Sequence, residues 1–236
     1  MKVVLVSHTH NPEYVCAQAG KVCYSPHGLE EIQKRLARGD HGAFLENIIK
    51  MGHLSVIEHA CFSFMIEGVS RACTHQLVRH RLASYSQKSQ RYVTENRFEY
   101  ITPPAVGADA GLKRAYDRFM EQTRDFYASL LKSGITAEDA RFVLPNAAET
   151  KIFVSMNGRE LLHFFEKRLC QRAQWEIRGA AEQMLKLVLG VAPHMFKTAG
   201  PGCVHGVCPE GKLTCGKATQ MRQKYNQAAG NPAAGS

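Results

Sequence analysis

The sequence lacks any apolar run near the roughly 18 residues that a membrane-spanning helix needs, which excludes a helical span. Its opening, MKVVLVSHTH, reaches His8 and His10 before a long apolar stretch forms, so it does not read as a secretory signal. Acidic residues are scarce: 21 Asp and Glu face 30 Lys and Arg, a formal net charge of +9. That balance favours an anionic partner, whether nucleic acid, a membrane surface or a small phosphorylated ligand. The glycine spacings of a P-loop and of a dinucleotide fingerprint are both missing. Nucleophile machinery is missing too: Ser89 has basic neighbours but no base-and-orienter set, and no cysteine has one either.

What is present is ordinary globular material. The 236 residues are 44% hydrophobic and 22% charged, enough for one cored domain and incompatible with a wholly disordered chain. In a chain of this size without a secretory start, the eight cysteines are expected to be reduced thiols in the cytoplasm. Cys61, Cys73 and Cys170 then serve as small apolar residues. The segment CVHGVCPEGKLTC is different. Cys203, His205, Cys208 and Cys215 are zinc-type ligands, but C-x4-C-x6-C is not a common finger spacing. Incidental or oxidisable thiols are the alternative, and no metal is assigned.

Residues 2–7, rich in valine, predict a strand. Apolar points from Ile32 to Ile49 predict helix over 28–50, broken by Gly39 and Gly42. Phe62, Phe64 and Ile66 alternate with Ser63, Met65 and Glu67 in a strand expected to end at Gly68. Ser70 suits the N-cap of a basic helix running through SRACTHQLVRHR, and SYSQKSQRY reads as a polar loop. Pro103 and Pro104 should stop regular structure. Leu112, Tyr116, Phe119, Phe126 and Leu130 then recur at helical spacing before Gly134. Thr136 and Asp139 suit a capping box on a short helix that Pro145 ends. KIFVSM predicts a strand; 158–169 and 174–189 predict helices; Trp175 is expected in a core or interface; residues 226–236 are expected to be disordered. Strands and helices mix without βαβ alternation, so the expected class is α+β, with a mixed, mostly antiparallel twisted sheet flanked by helices.

Cationic chemistry concentrates in RHRLASYSQKSQR, residues 79–91. Arginine offers a planar donor set suited to phosphate, and serine hydroxyls and loop amides can complete a shell around it. A solvated basic face is the alternative, as is a nucleic-acid patch, for which only Tyr85 and Tyr92 supply nearby rings. Arg168 shares a helical face with Leu161 and Phe165, and a guanidinium on an apolar stripe must meet an acid, a ligand or a subunit boundary. Glu166 and Glu176 are the structural candidates. Asn157, Arg159 and His163 open the same helix. In HLSVIEH, His53 and His59 fall on different faces, which is not a zinc helix.

RHRLASYSQKS fits the RHR-x7-S signature of the flavin-dependent thymidylate synthases. GHLSVIEH resembles that family's upstream flavin-side segment, and NGRELLHFFEKR with AQWEI resembles its downstream one, in the expected order. The resemblance covers residues 1–198 as a catalytic domain and leaves 199–236 as a Cys-rich extension outside the shared part. It implies reductive methylation of dUMP to dTMP, with methylenetetrahydrofolate as carbon donor, FAD as redox mediator and NADPH as reductant. It also implies a cytoplasmic homotetramer with active sites formed between subunits, needing neither nucleic acid nor membrane. His53, Ser55, Glu58, Arg79, His80, Arg81, Gln87, Asn157, Arg159 and His163 match flavin-side positions. Gln76, Leu77, Val78, Arg79, Gln87, Lys88, Ser89, Gln90, Arg91, Arg141 and Arg168 match dUMP-side positions, with Arg168 as the catalytic donor. His75 stands where many members have Arg, Ser86 and Gln87 replace a commoner Asn-Glu, and His163 replaces a frequent Asn. A basic nucleic-acid-binding protein without catalysis is the alternative reading.

Overall fold

The computed structural model describes residues 1–228. In chain order the elements are β1 (Lys2–His8), α1 (Pro12–Tyr24), α2 (Leu29–Arg38), α3 (His41–Lys50), a 3-10 segment (Leu54–His59), β2 (Cys61–Ser70), α4 (Arg71–Leu77) and β3 (Ala83–Gln87). There follow α5 (Pro104–Gly107), α6 (Ala110–Lys132), α7 (Ala137–Ala140), β4 (Glu149–Asn157), α8 (Gly158–Arg168), α9 (Trp175–Leu189), α10 (Pro193–Phe196) and α11 (Ala218–Ala228). The strands form one antiparallel sheet in the order β1-β2-β4-β3, and the class is α+β. Among the described residues no helix is long and apolar enough to cross a membrane.

The chain divides into two compact units, and every strand is shared out between them. The first unit comprises Met1–Lys2, Ile66–Arg79 and Tyr85–Phe153. Phe98, Met120 and Ala148 form its core cluster, with Tyr100 and Tyr116 packed against them. Helix α6 starts where Asp109 Oδ1 accepts from the N–H groups of Gly111 and Leu112, and the chain turns at Gly134, whose φ of 86° is glycine territory. Its apolar residues divide between two faces. Met120 and Tyr127 are buried, whereas Leu112, Phe119 and Phe126 are 57%, 59% and 54% exposed. Spaced seven residues apart, these three form a single apolar stripe on the outside.

Corrections fall in or beside this unit. Ser70 does cap α4, accepting from the Cys73 N–H at 3.0 Å, but the helix ends at Leu77 and leaves Arg79, His80 and Arg81 outside it. Strand β2 runs past Gly68 to Ser70. The supposed loop SYSQ is strand β3: pairing with β4 overrides the weak strand propensity of serine and glutamine. Pro104 starts α5 rather than stopping structure, because the first helical turn needs no donor there. Thr136 makes no cap to the backbone; its Oγ1 lies 3.5 Å from the Asp139 carboxylate.

The second unit comprises Val3–Met65, His80–Ser84 and the chain from Val154 onward. Sequence periodicity gave no hint of α1, whose buried positions are Pro12, Cys16, Ala17 and Gly20. These small residues carry little amphipathic signal but permit close packing: a Cβ on Gly20 would sit 2.8 Å from Ile48 Cδ1 of α3. Phe196 meets Phe62 and Phe165 edge-on at 5.4 and 5.9 Å, joining α10, β2 and α8. A Cβ on Gly158 would come within 2.8 Å of Ile57 O and of Met195 Sδ, so the start of α8 is pressed onto the 3-10 segment. Trp175 lies at the first position of α9, 36% exposed rather than cored, and Cys61 is exposed while Cys73 is buried. Residues 226–228 complete α11, contrary to the expected disorder; the rest of that expectation, 229–236, lies outside the described residues.

Candidate functional site

In the second unit, Arg168 Nε donates to His80 Nε2 at 3.0 Å, and His80 Nδ1 lies 3.1 Å from Glu160 Oε1. Guanidinium has no acceptor, so Nε2 must carry the lone pair. The His80 proton then sits on Nδ1 and is donated to Glu160. Both neighbours thus select one neutral tautomer. His80 is 5% exposed and Glu160 6%. Burial, then the Arg168 charge and then His163, lower the His80 pKa to about 4. Burial raises the Glu160 carboxyl above its usual range, with His163 opposing. Helix α8 supplies Glu160, His163 and Arg168 at three- and five-residue steps, and His80 comes from the segment after α4. The ligand atoms of His80, Glu160 and His163 lie within 4.8 Å of one another, close enough to suggest a metal. Yet both His80 nitrogens are engaged in hydrogen bonds and a guanidinium stands beside them, so the group is a hydrogen-bonded network.

Around it lie other expected flavin-side residues. Asn157 caps α8, its Oδ1 accepting from the Glu160 N–H at 2.9 Å. Arg159 donates to Glu58 Oε1 at 2.6 Å, an exposed pair. The His163 ring meets His80 edge-on at 5.6 Å. His53, at the start of the 3-10 segment, stacks edge-on with Tyr24 at 6.0 Å, and Ser55 is exposed. Arg81 is also exposed, and with Ser84, Ser155 and Asn157 it lines a cavity of ≈ 380 Å³. That volume is typical of a small-molecule site.

The expected dUMP-side residues other than Arg168 fall in the first unit. Gln87 Nε2 donates to Thr74 Oγ1 at 2.9 Å. The Lys88 backbone N–H donates to Lys151 O at 3.0 Å, and its ammonium pairs with Glu95 at 2.7 Å. Ser89 Oγ accepts from the Arg91 N–H at 3.2 Å. Arg91 grips Glu138 with two nitrogens, at 2.9 and 3.0 Å, and Arg141 Nε donates to Glu138 O at 3.0 Å. Gln90 Oε1 accepts from Arg71 at 2.9 Å. Leu77 is buried and its carbonyl accepts from the Tyr85 hydroxyl at 2.8 Å; Val78 and Arg79 are exposed, and Gln76 is half-buried.

Two residues of these networks escaped the sequence reading. Arg71 is a half-buried cation whose pKa is lowered by burial and by Arg141, with Glu95 opposing. Only its place next to the Ser70 cap could have marked it. Glu160 had a legible signal: Asn157-Gly158-Arg159-Glu160 places an acid three residues after an N-cap.

Residues 4–194 match the family described as thymidylate synthase complementing protein. The flavin-dependent thymidylate synthase of Geobacter sulfurreducens is 52% identical over 96% of this chain and 99% of its own. Proteins of the same name from Clostridium tetani and Pyrococcus abyssi are 48% and 42% identical, over 95% and 94% of this chain and 97% and 96% of theirs. The chain belongs to the flavin-dependent thymidylate synthase family. The Geobacter match, covering 96% of the chain, extends past residue 199.

Proposed function

We propose that this enzyme reductively methylates dUMP to dTMP, taking its carbon from methylenetetrahydrofolate and its electrons from NADPH. The observation that carries the reading is near-full-length similarity to flavin-dependent thymidylate synthases, at 42–52% identity. The donor chemistry of the second unit fits FAD. Two exposed guanidiniums, Arg81 and Arg159, suit a pyrophosphate, and the cavity beside Arg81 has room for part of a dinucleotide. His53, Ser55, Asn157 and His163 would complete the hold, and an incoming phosphate would take the place of Glu58 beside Arg159. When bound, FAD supplies the redox chemistry between NADPH and the pyrimidine.

The protein's own part is electrostatic. Arg168 is the catalytic donor, stabilising negative charge as the uracil becomes enolate-like, so that no protein thiol is needed. His80 holds the Arg168 Nε–H, and Glu160 holds His80 in the tautomer that can accept it. Lys88, Ser89, Arg91 and Arg141 bind the nucleotide phosphate and sugar. Residues 1–198 form the catalytic part and 199–236 an extension. The exposed stripe Leu112, Phe119 and Phe126 supports burial against another copy, as in a homotetramer with sites between subunits. Eight free thiols suit the cytoplasm.

The test is a product assay with dUMP, methylenetetrahydrofolate, NADPH and FAD, beside the absorbance spectrum with and without dUMP. The expected results are dTMP formation that stops when FAD is removed and resumes on its return, and a flavin spectrum that responds to dUMP. FAD-loaded protein that makes no dTMP would overturn the proposal.

A further inference from the structure

The cysteine-rich segment after Gly200 plays no part in the chemistry above, yet it is an ordered piece of chain. Between residues 200 and 217 it has only two single 3-10 turns, Gly202–Val204 and Gly211–Leu213. Its larger apolar side chains face solvent: Val207 is 93% exposed and Leu213 61%. A stretch with so little core needs another source of order, and small units of this kind commonly use disulfides or a metal. All eight cysteines here are thiols.

The fold gathers three of those thiols around one small cavity and changes the set that spacing alone suggested. Cys170, two residues beyond α8, lines a cavity of ≈ 40 Å³ together with Cys203 and Cys208. That exceeds the space a single water-sized probe requires. Cys215 is tied to the same place through the backbone: Leu213, two residues before it, gives its carbonyl to Arg172, two residues after Cys170. His205, a zinc-type residue by sequence, is exposed and takes no part in that cavity.

Backbone geometry brings the cysteines together. A Cβ on Gly202 would lie 2.9 Å from Pro209 Cγ, so the turns bearing Cys203 and Cys208 are packed face to face. The Gly211 N–H donates to Cys208 O at 3.3 Å with φ 52°, closing a turn on Cys208, and Gly216, directly after Cys215, has φ 72°. Arginines hold the frame: Arg222 Nε donates to Cys203 O at 3.0 Å, and Arg172 to Leu213 O at 2.5 Å.

We propose that Cys170, Cys203, Cys208 and Cys215 form a tetrathiolate site for one zinc ion, fastening the C-terminal segment to the end of α8. Four sulfur ligands around a tetrahedral ion are the hallmark of structural zinc. The thiols stand wider apart than the 4.8 Å mutual spacing of the His80 group, which among the described residues is the one that meets it. Zn–S bonds of about 2.3 Å draw them inward. Each thiol gives up its proton on binding and nothing is oxidised. Cys170 is the decisive member, since it alone comes from outside the extension.

The experiment uses the full-length protein. Metal analysis should find one zinc per chain, released by a mercurial thiol reagent and read with a chromogenic chelator. Cobalt(II) exchanged into the site should show thiolate-to-cobalt charge transfer and the visible bands of a tetrahedral ion. Cys170→Ser should at least halve the charge-transfer intensity, and His205→Ala should leave it unchanged. Zinc-free protein in which Cys170, Cys203, Cys208 and Cys215 all alkylate in the native state would overturn the proposal. So would mass loss from disulfides in place of metal, an unaltered cobalt spectrum in Cys170→Ser, or its loss in His205→Ala. These readouts need neither FAD nor dUMP, so they stand or fall apart from the proposed reaction.

Discussion

The two compact units handle charge in opposite ways. In the second, Arg168, His80 and Glu160 form a largely buried chain in which each member dictates the next one's protonation or orientation. In the first, Arg91 is satisfied by an acid nearer the surface, Glu138. A buried, mutually constrained donor is already aimed before any ligand arrives, which is what stabilising a developing charge requires. A surface ion pair is cheap to exchange for a ligand anion, which is what binding requires. One region is built to hold a geometry and the other to trade partners.

The sharpest way to break this comparison is Arg168→Ala. Losing one preorganised donor should lower dTMP formation roughly a hundred- to thousand-fold, about 3–4 kcal/mol, with folding and FAD binding largely intact. Single-turnover measurement of dTMP would check it, and near-normal turnover would remove Arg168 from the chemistry. Arg168→Lys should recover little, since an ammonium cannot reproduce the planar set of donors.

Next in size is a pH effect confined to the buried chain. The folded pKa of His80, about 4, lies below its ordinary 6.5. Between those values the unfolded chain binds the extra proton and the folded chain does not. His80 therefore contributes stability that is fully present above pH 6.5 and is lost as pH falls towards 4, about 3 kcal/mol in all. Glu160 works against this at the acid end, because its raised pKa makes the folded form bind a proton more readily there. Urea denaturation at pH 7 and pH 4.5 should show a steep loss in the native protein and a shallower one in His80→Asn. Equal slopes would mean that His80 is not held neutral.

How much of this was legible beforehand depended on the range of the interaction. Periodicity alone placed Arg168 on the face of Leu161 and Phe165 and required it to have a partner. The partner found lies 88 residues away, beyond any local pattern. Helix α6 was visible as a helix, but the choice between two apolar faces, Leu112-Phe119-Phe126 or Met120-Tyr127, is made by tertiary packing. Helix α1 was invisible because small residues bury without leaving a periodic signal. Strand β3 was read as a loop because its reason for being a strand is β4, more than sixty residues on. The RHR-x7-S segment was the most legible part of the site, since its residues are contiguous in sequence.

A smaller effect is expected at Glu160. Glu160→Gln keeps a carbonyl oxygen able to accept from His80 Nδ1–H and should leave kcat nearly unchanged. Glu160→Ala frees the imidazole to change tautomer, and kcat should fall about tenfold with the KM for dUMP unaltered, in line with the ~1.5 kcal/mol of a hydrogen bond to a charged group. A purely structural role would instead make both variants lose stability together with no such split. If Ala and Gln lowered kcat equally, the tautomer would not be what Glu160 controls.

The weakest effect belongs to the exchangeable region. Arg91 and Glu138 form a two-pronged pair, but each side chain is 48% exposed. A double-mutant cycle with Arg91→Ala and Glu138→Ala should therefore give a coupling below about 1 kcal/mol, shrinking with salt. Its functional consequence runs the other way. If Arg91 exchanges Glu138 for the nucleotide's anionic groups, Glu138→Gln removes a competitor and should tighten dUMP binding by a few-fold, whereas Arg91→Ala weakens it. Calorimetric titration with dUMP distinguishes the cases: a large loss of affinity in Glu138→Gln would mean that the pair must stay intact for the ligand to bind, and this region too would then be one that holds its geometry.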